Sequence, residues 1–118
     1  MSNKLQTISI IHRFDIAALF PSTSEEFATY QQVNYIDTGK IISKSAQISP
    51  DRLNKTLITV FNTAEDYVEY MKDPVVIEII NSRNSYCEAN NMRISILKQE
   101  LGEGSTFVGA SSTTFAGS

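Results

Sequence analysis

The chain holds one histidine, His12, and one cysteine, Cys87, among its 118 residues. An imidazole titrates near neutral pH and serves as a general base when a second group orients it. His12 ends a run in which Ile8, Ile10 and His12 alternate with Thr7, Ser9, Ile11 and Arg13. No orienting partner is identifiable, so this parity predicts a histidine packed under a helix at a strand's end. Cys87 shares a helical face with Ile80 and Arg83. It reads as a small buried hydrophobe, because neither a helix start nor a cationic cluster is predicted beside it to favour the thiolate. One His and one Cys fall short of the four ligands of a zinc site, so no metal is expected, and no cofactor.

Arg13 and Arg93 are more informative. Alternation along the first and last strands puts both on the sheet face turned away from the helices, with Thr7, Ser9, Ile11, Ser95 and Leu97. If the two strands are neighbours, the guanidinium groups converge and can bind a carboxylate or phosphate. The competing use is pairing with acidic residues across a dimer interface. His12, Arg13 and Arg93 are thus the candidate ligand-binding residues, and no residue is assigned a catalytic role. Glu65, Asp66, Glu69 and Asp73 resemble a cation site superficially. Their place at a helix start is better explained by the positive end of its dipole. The five tyrosines fall on predicted helices, where aromatics at helical spacing are more often core or interface than cofactor contacts.

The elements that would position these residues can be read from local signals. Residues 5–14 form a strand. Ser22 with Glu25, and Thr23 with Glu26, are overlapping capping boxes for a helix running to about Asp37, with Phe27, Tyr30, Val33 and Ile36 inward. Gly39 follows as its stop. Residues 40–49 alternate as a strand with Ile42, Ala46 and Ile48 on one face, and Ser49-Pro50-Asp51-Arg52 turns into a strand over 53–61. Asn62 or Thr63 caps the next helix, whose apolar face is Ala64, Tyr67, Val68 and Met71. Asp73-Pro74 restarts it as a second segment, because proline costs little at a helix's first position. Val76, Ile79, Ile80, Arg83 and Cys87 continue the inner face, with Ile77 beside it. Asn90-Asn91 ends the helix and residues 92–101 return as a strand. The order is βαββαβ, which predicts a ferredoxin-like α+β fold. Its antiparallel four-stranded sheet would have spatial order 4-1-3-2, with both helices on one face.

Residues 1–101 therefore read as one domain. Residues 102–118 hold four of the five glycines, with Glu103 as their only charge, and read as a flexible tail in which Phe107 and Val108 would dock if it orders. A net charge of −3 argues against nonspecific nucleic-acid binding. The open sheet face lacks the aromatics of an RNA-binding module of this topology. No apolar run is long enough to span a membrane, and a cytoplasmic protein is the default expectation.

The body of the chain, above all Thr56–Tyr67 (TLITVFNTAEDY) followed by the break at Asp73-Pro74, resembles the dimeric α+β barrel superfamily. Within it, the likeness is to the antibiotic biosynthesis monooxygenase-like group. The resemblance implies a homodimer closed through the open sheet face. Any activity it implies is cofactor-free and monooxygenase-like. Oxygen-using members resemble one another in Trp, Asn and His residues around a cavity. This chain has no tryptophan, and Tyr70-Met71-Lys72 stands where a helix histidine is frequent, so no catalytic residue carries over. Two functions follow as expectations. One is binding of a small organic molecule, in the barrel or between sheet and helices. The other is a non-catalytic homodimeric structural or interaction module.

Overall fold

The computed structural model describes residues 3–101; the expectations for the 102–118 tail lie outside them. Four strands carry the β-branched and alternating segments: β1 (Lys4–Arg13), β2 (Ile41–Ile48), β3 (Asn54–Phe61) and β4 (Met92–Leu101). They form one antiparallel sheet in the order β2-β3-β1-β4, so the first and last strands are neighbours as expected. The helices α1 (Glu25–Gln31), α2 (Ala64–Lys72) and α3 (Pro74–Ala89) pack on one face of it. The fold is the ferredoxin-like α+β arrangement.

Helix ends follow local chemistry. Thr63 caps α2, its hydroxyl accepting from the Asp66 N–H at 3.0 Å. Asp73 ends α2 and caps α3, its Oδ1 accepting from the Val75 N–H at 2.9 Å, with Pro74 at the first helical position. Gly39, at φ +81°, supplies the left-handed residue after the first helical segment. The N-cap of α1 differs from both expected frames. It is Ser24, whose hydroxyl accepts from the Phe27 N–H at 3.2 Å.

Two local irregularities shift the inward-facing residues. Gln32–Ile36 is a π-helical turn, closed by the Asp37 N–H donating to the Gln32 carbonyl at 2.8 Å. The wider turn makes Phe27, Gln31 and Tyr35 the buried residues, and Val33 points to solvent. In β2 the register shifts between Ile41 and Ser43, which buries Ile41 and leaves Ile42 exposed. On α2, Tyr67 and Tyr70 face the core, whereas Val68 and Met71 are largely exposed.

The parity of β1 is the reverse of the expectation. Leu5 and Ile11 lie in the core under the helices, so Leu5, Thr7, Ser9, Ile11 and Arg13 face them. Gln6, Ile8, Ile10 and His12 face the open side, opposite Val60, Ile58, Thr56 and Asn54 of β3 and Gln99, Leu97, Ser95 and Arg93 of β4. Both faces of the strand's centre carry isoleucine, so hydrophobicity alone did not distinguish them.

A polar row between the two halves of the core

The core under the helices is in two parts. One end gathers Leu5, Phe27, Tyr35, Ile41, Phe61 and Val76, with Tyr30, Tyr67, Tyr70, Ile79 and Ile80 against them. The other gathers Ile11, Cys87 and Met92, with Phe20, Leu57, Tyr86 and Ile94. Between them the sheet presents Lys44, Thr59, Thr7 and Lys98, which are successive cross-strand partners. This row spans about 14 Å, three strand spacings of roughly 4.8 Å. The centre of a helix-covered sheet is ordinarily its driest part. Here Thr7, Ser9 and Thr59 are only half-buried, so solvent reaches the polar row.

The helices face this row with polar groups of their own. Along α3, Val76 packs in the first cluster and Cys87 in the second, and Arg83 falls between them. Gln31 of α1 donates from Nε2 to the Tyr70 hydroxyl at 2.8 Å, while its Oε1 accepts from the Lys44 ammonium. Lys98 Nζ lies 5.4 Å from the centre of the Tyr67 ring. A line of contacts thus runs Lys44–Gln31–Tyr70, and Arg83 acts electrostatically on its end. Burial raises the Tyr70 pKa, opposed by the hydrogen bond from Gln31 and the charge of Arg83. Desolvation lowers the pKa of both Lys44 and Arg83. It raises that of the Cys87 thiol, which Arg83 partly offsets. The thiol therefore stays protonated, in keeping with the small-hydrophobe reading. The arrangement supplies ammonium, guanidinium, phenol and amide donors beside aromatic walls.

Asp73 positions these helices. Its Oδ2 accepts from the Tyr30 hydroxyl at 2.5 Å and from the Tyr35 hydroxyl at 2.6 Å, tying the first helical segment to the α2–α3 junction. Burial opposes ionisation of this carboxyl. The two phenols and the N–H groups of Val75 and Val76 outweigh it and hold the pKa below the usual carboxylate range.

Arg13 and Arg93 do not converge. Arg13 lies on the helix side, its Nε donating to the Arg52 carbonyl at 2.8 Å and its Nη1 to the Ala18 carbonyl at 2.6 Å, over the Phe20 ring. It fastens the 14–24 connection to the β2–β3 turn. Arg93 stands on the open face as the cross-strand partner of His12, its guanidinium 5.4 Å from the centre of the Phe14 ring. His12 is therefore not under a helix. Its Nδ1 is 2.9 Å from Asn54 Oδ1 and its ring packs edge-on to Phe14. A protonated Nδ1 donating to that oxygen leaves Nε2 as the acceptor of the neutral ring.

Lys44, Arg83 and Tyr70 were not among the sequence candidates. The signal was present as a lysine interrupting the β2 alternation and an arginine inside the apolar face of α3. Among the described residues, no three His, Cys, Asp or Glu side chains stand together as a metal site. No described helix is long and apolar enough to cross a membrane.

No protein-family profile matches the sequence, and no curated protein is significantly similar to it. Solved structures do match in fold. A conserved protein of unknown function from Bacteroides thetaiotaomicron, suggested to be an oxidoreductase, superposes with a TM-score of 0.60 at 10% identity, over 86% of this chain and 100% of that one. The hydroxynitrile lyase of Passiflora edulis gives 0.55 at 13% identity, over 89% and 99%. An antibiotic biosynthesis monooxygenase-like protein from Deinococcus radiodurans gives 0.50 at 13% identity, over 86% and 96%. At these identities the likeness establishes the shared fold alone, the ferredoxin-like α+β arrangement.

Proposed function

We propose that the protein binds a small organic molecule between its helix layer and its sheet, as one half of a homodimer. The observation that carries this reading is the polar row Lys44–Thr59–Thr7–Lys98 dividing the apolar core, half-buried at its two central threonines and solvent-exposed at its two terminal lysines. A fold serving only as a scaffold gains nothing from a polar, solvent-reached row at the centre of its core, since apolar residues there would bury more surface. Matching by a ligand gives the row a use. The names of two fold neighbours, a hydroxynitrile lyase and a monooxygenase-like protein, lie in small-molecule chemistry and support the same direction. The reading concerns binding and assigns no catalytic step.

The dimer reading rests on the face opposite the helices, where the half-buried Ile10, Ile58 and Leu97 sit among polar residues, beside Ile8 and Val60, which are already buried in the single chain. Two such faces stacked about 10 Å apart would cover one another. His12, Asn54 and Arg93 would stand at the end of the covered face, as a second place for a polar ligand group. Arg13 takes no part there. Thermal unfolding against a panel of small aromatic acids, amides and alcohols tests the pocket: a rise in midpoint with at least one chemical series is expected. No shift across the panel would sink it.

A further inference from the structure

The polar row carries an imbalance of charge that the binding reading leaves open. Arg83 Nε is buried and makes no hydrogen bond. Lys44 offers three N–H donors, and its one described partner is the neutral Gln31. Among the described residues no carboxylate pairs with Lys44, Arg83 or Lys98; the ion pair present is Lys40–Glu69, elsewhere on the surface. Lys44 and Lys98 are exposed to solvent, so the cost falls on the half-buried Arg83: native structures seldom keep a buried guanidinium donor unmatched. Gln31 and Tyr70 neutralise nothing, since each is a neutral group occupied with the other.

Resting on the binding reading above, we infer that the ligand is a small carboxylate with an apolar or aromatic body. Its carboxylate meets Arg83 and the Lys44 ammonium, and its body lies against Tyr67, Tyr70 and Leu57. A planar guanidinium matches a carboxylate through paired N–H donors, which a neutral amide or alcohol cannot reciprocate. Thr7, Ser9 and Thr59 beneath add hydroxyls that turn to suit a ligand oxygen. The split core suits a molecule with a charged centre of attachment and an apolar remainder, because tyrosine rings and Leu57 adjoin the row.

The test uses the full chain, with benzoate and phenylacetate as probes, benzamide and phenylacetamide as neutral counterparts, and inorganic phosphate as a bare anion. Binding is read by calorimetry and by thermal midpoint at constant ionic strength. The acids are expected to bind at least tenfold more tightly than the amides. Arg83→Gln and Lys44→Gln should each weaken the acids at least tenfold and leave the amides unchanged. Lys44 lies on edge strand β2, so its variant remains informative if the Arg83 variant fails to fold. Amides binding as well as acids, or acids indifferent to both substitutions, would overturn the carboxylate and leave the binding space standing. Phosphate binding as tightly as benzoate would also overturn it, since the site would then read charge without an organic body. No binding by either series would overturn both readings.

Discussion

The Tyr35 hydroxyl donates to Asp73 Oδ2 at 2.6 Å, joining the π-helical turn after α1 to the break between α2 and α3. Neither end of this bond is regular helix. The wider π turn directs Tyr35 inward, and the break exposes a carboxylate that can cap α3 with one oxygen and accept two phenols with the other. Removing the hydroxyl with Tyr35→Phe leaves Asp73 one donor short in a partly enclosed position. The expected loss is about 1.5–3 kcal/mol, the range for a hydrogen bond to a charged group, measured by chemical denaturation. An unchanged midpoint would show that the bond is replaced by water at no cost.

The same carboxylate predicts a pH dependence. Its pKa in the folded protein lies below the ordinary 3.8. Its contribution is therefore complete above pH 3.8 and disappears as pH falls through the lower folded value. Tyr35 is raised above its ordinary 10.0, by burial first and then by its bond to Asp73, so its contribution is lost as pH rises past 10. Denaturation midpoints between pH 2 and 5 should fall less steeply for Asp73→Asn than for the parent chain. Equal slopes would assign the acid limb to other carboxylates.

The order of strands and helices was legible because capping residues, glycine and proline act locally. Asp73-Pro74 and Gly39 are read correctly from a few residues each. Which face a residue occupies was less legible, because periodicity assumes an uninterrupted element. One wide turn moved the inward position from Val33 to Tyr35, and one register shift moved it from Ile42 to Ile41. In β1 the pattern Ile8-Ile10-Ile11 supports either parity, and Arg13 appears polar until its loop partners are known. The pairing of His12 with Arg93 and Asn54 follows from that parity, as does the separation of Arg13 from Arg93.

Gly39 tests the helix stop in isolation. At φ +81° a side chain is strained, although an added Cβ would meet nothing within 4 Å. Gly39→Ala should therefore destabilise by about 1 kcal/mol through backbone strain alone. Gly39→Asn should cost less, because asparagine tolerates the left-handed region. Equal midpoints for both variants, read in parallel denaturation curves, would contradict this.

Arg13 holds a loop by donating to two carbonyls, which lysine cannot do with the same fork. Arg13→Lys should keep the charge and loosen residues 14–24. Limited proteolysis is expected to cut there several-fold faster, while the helix signal by circular dichroism is retained. Cleavage at the parent rate would mean that Phe20 and Tyr86 hold the loop unaided. The Tyr86 hydroxyl donates to the Leu19 carbonyl at 2.7 Å and is the competing fastener.

The reversed parity of β1 separates two charge insertions that the alternation alone treats as equivalent. Leu97 is half-buried on the open face, opposite Ile8. Ile11 is 1% exposed and packs with Cys87 and Met92 under α3. A carboxylate at either site meets a different surface. Leu97→Asp should leave the fold intact and disrupt association, since like charges would face one another across a two-fold interface. Ile11→Asp would bury an unpaired carboxylate in the core and should unfold the chain whether or not it associates. Sedimentation at micromolar concentration is expected to show a dimer for the parent and a monomer for Leu97→Asp, with unchanged circular dichroism. A monomeric parent would sink the dimer. A Leu97→Asp variant that remains dimeric would place the interface away from the open face of the sheet.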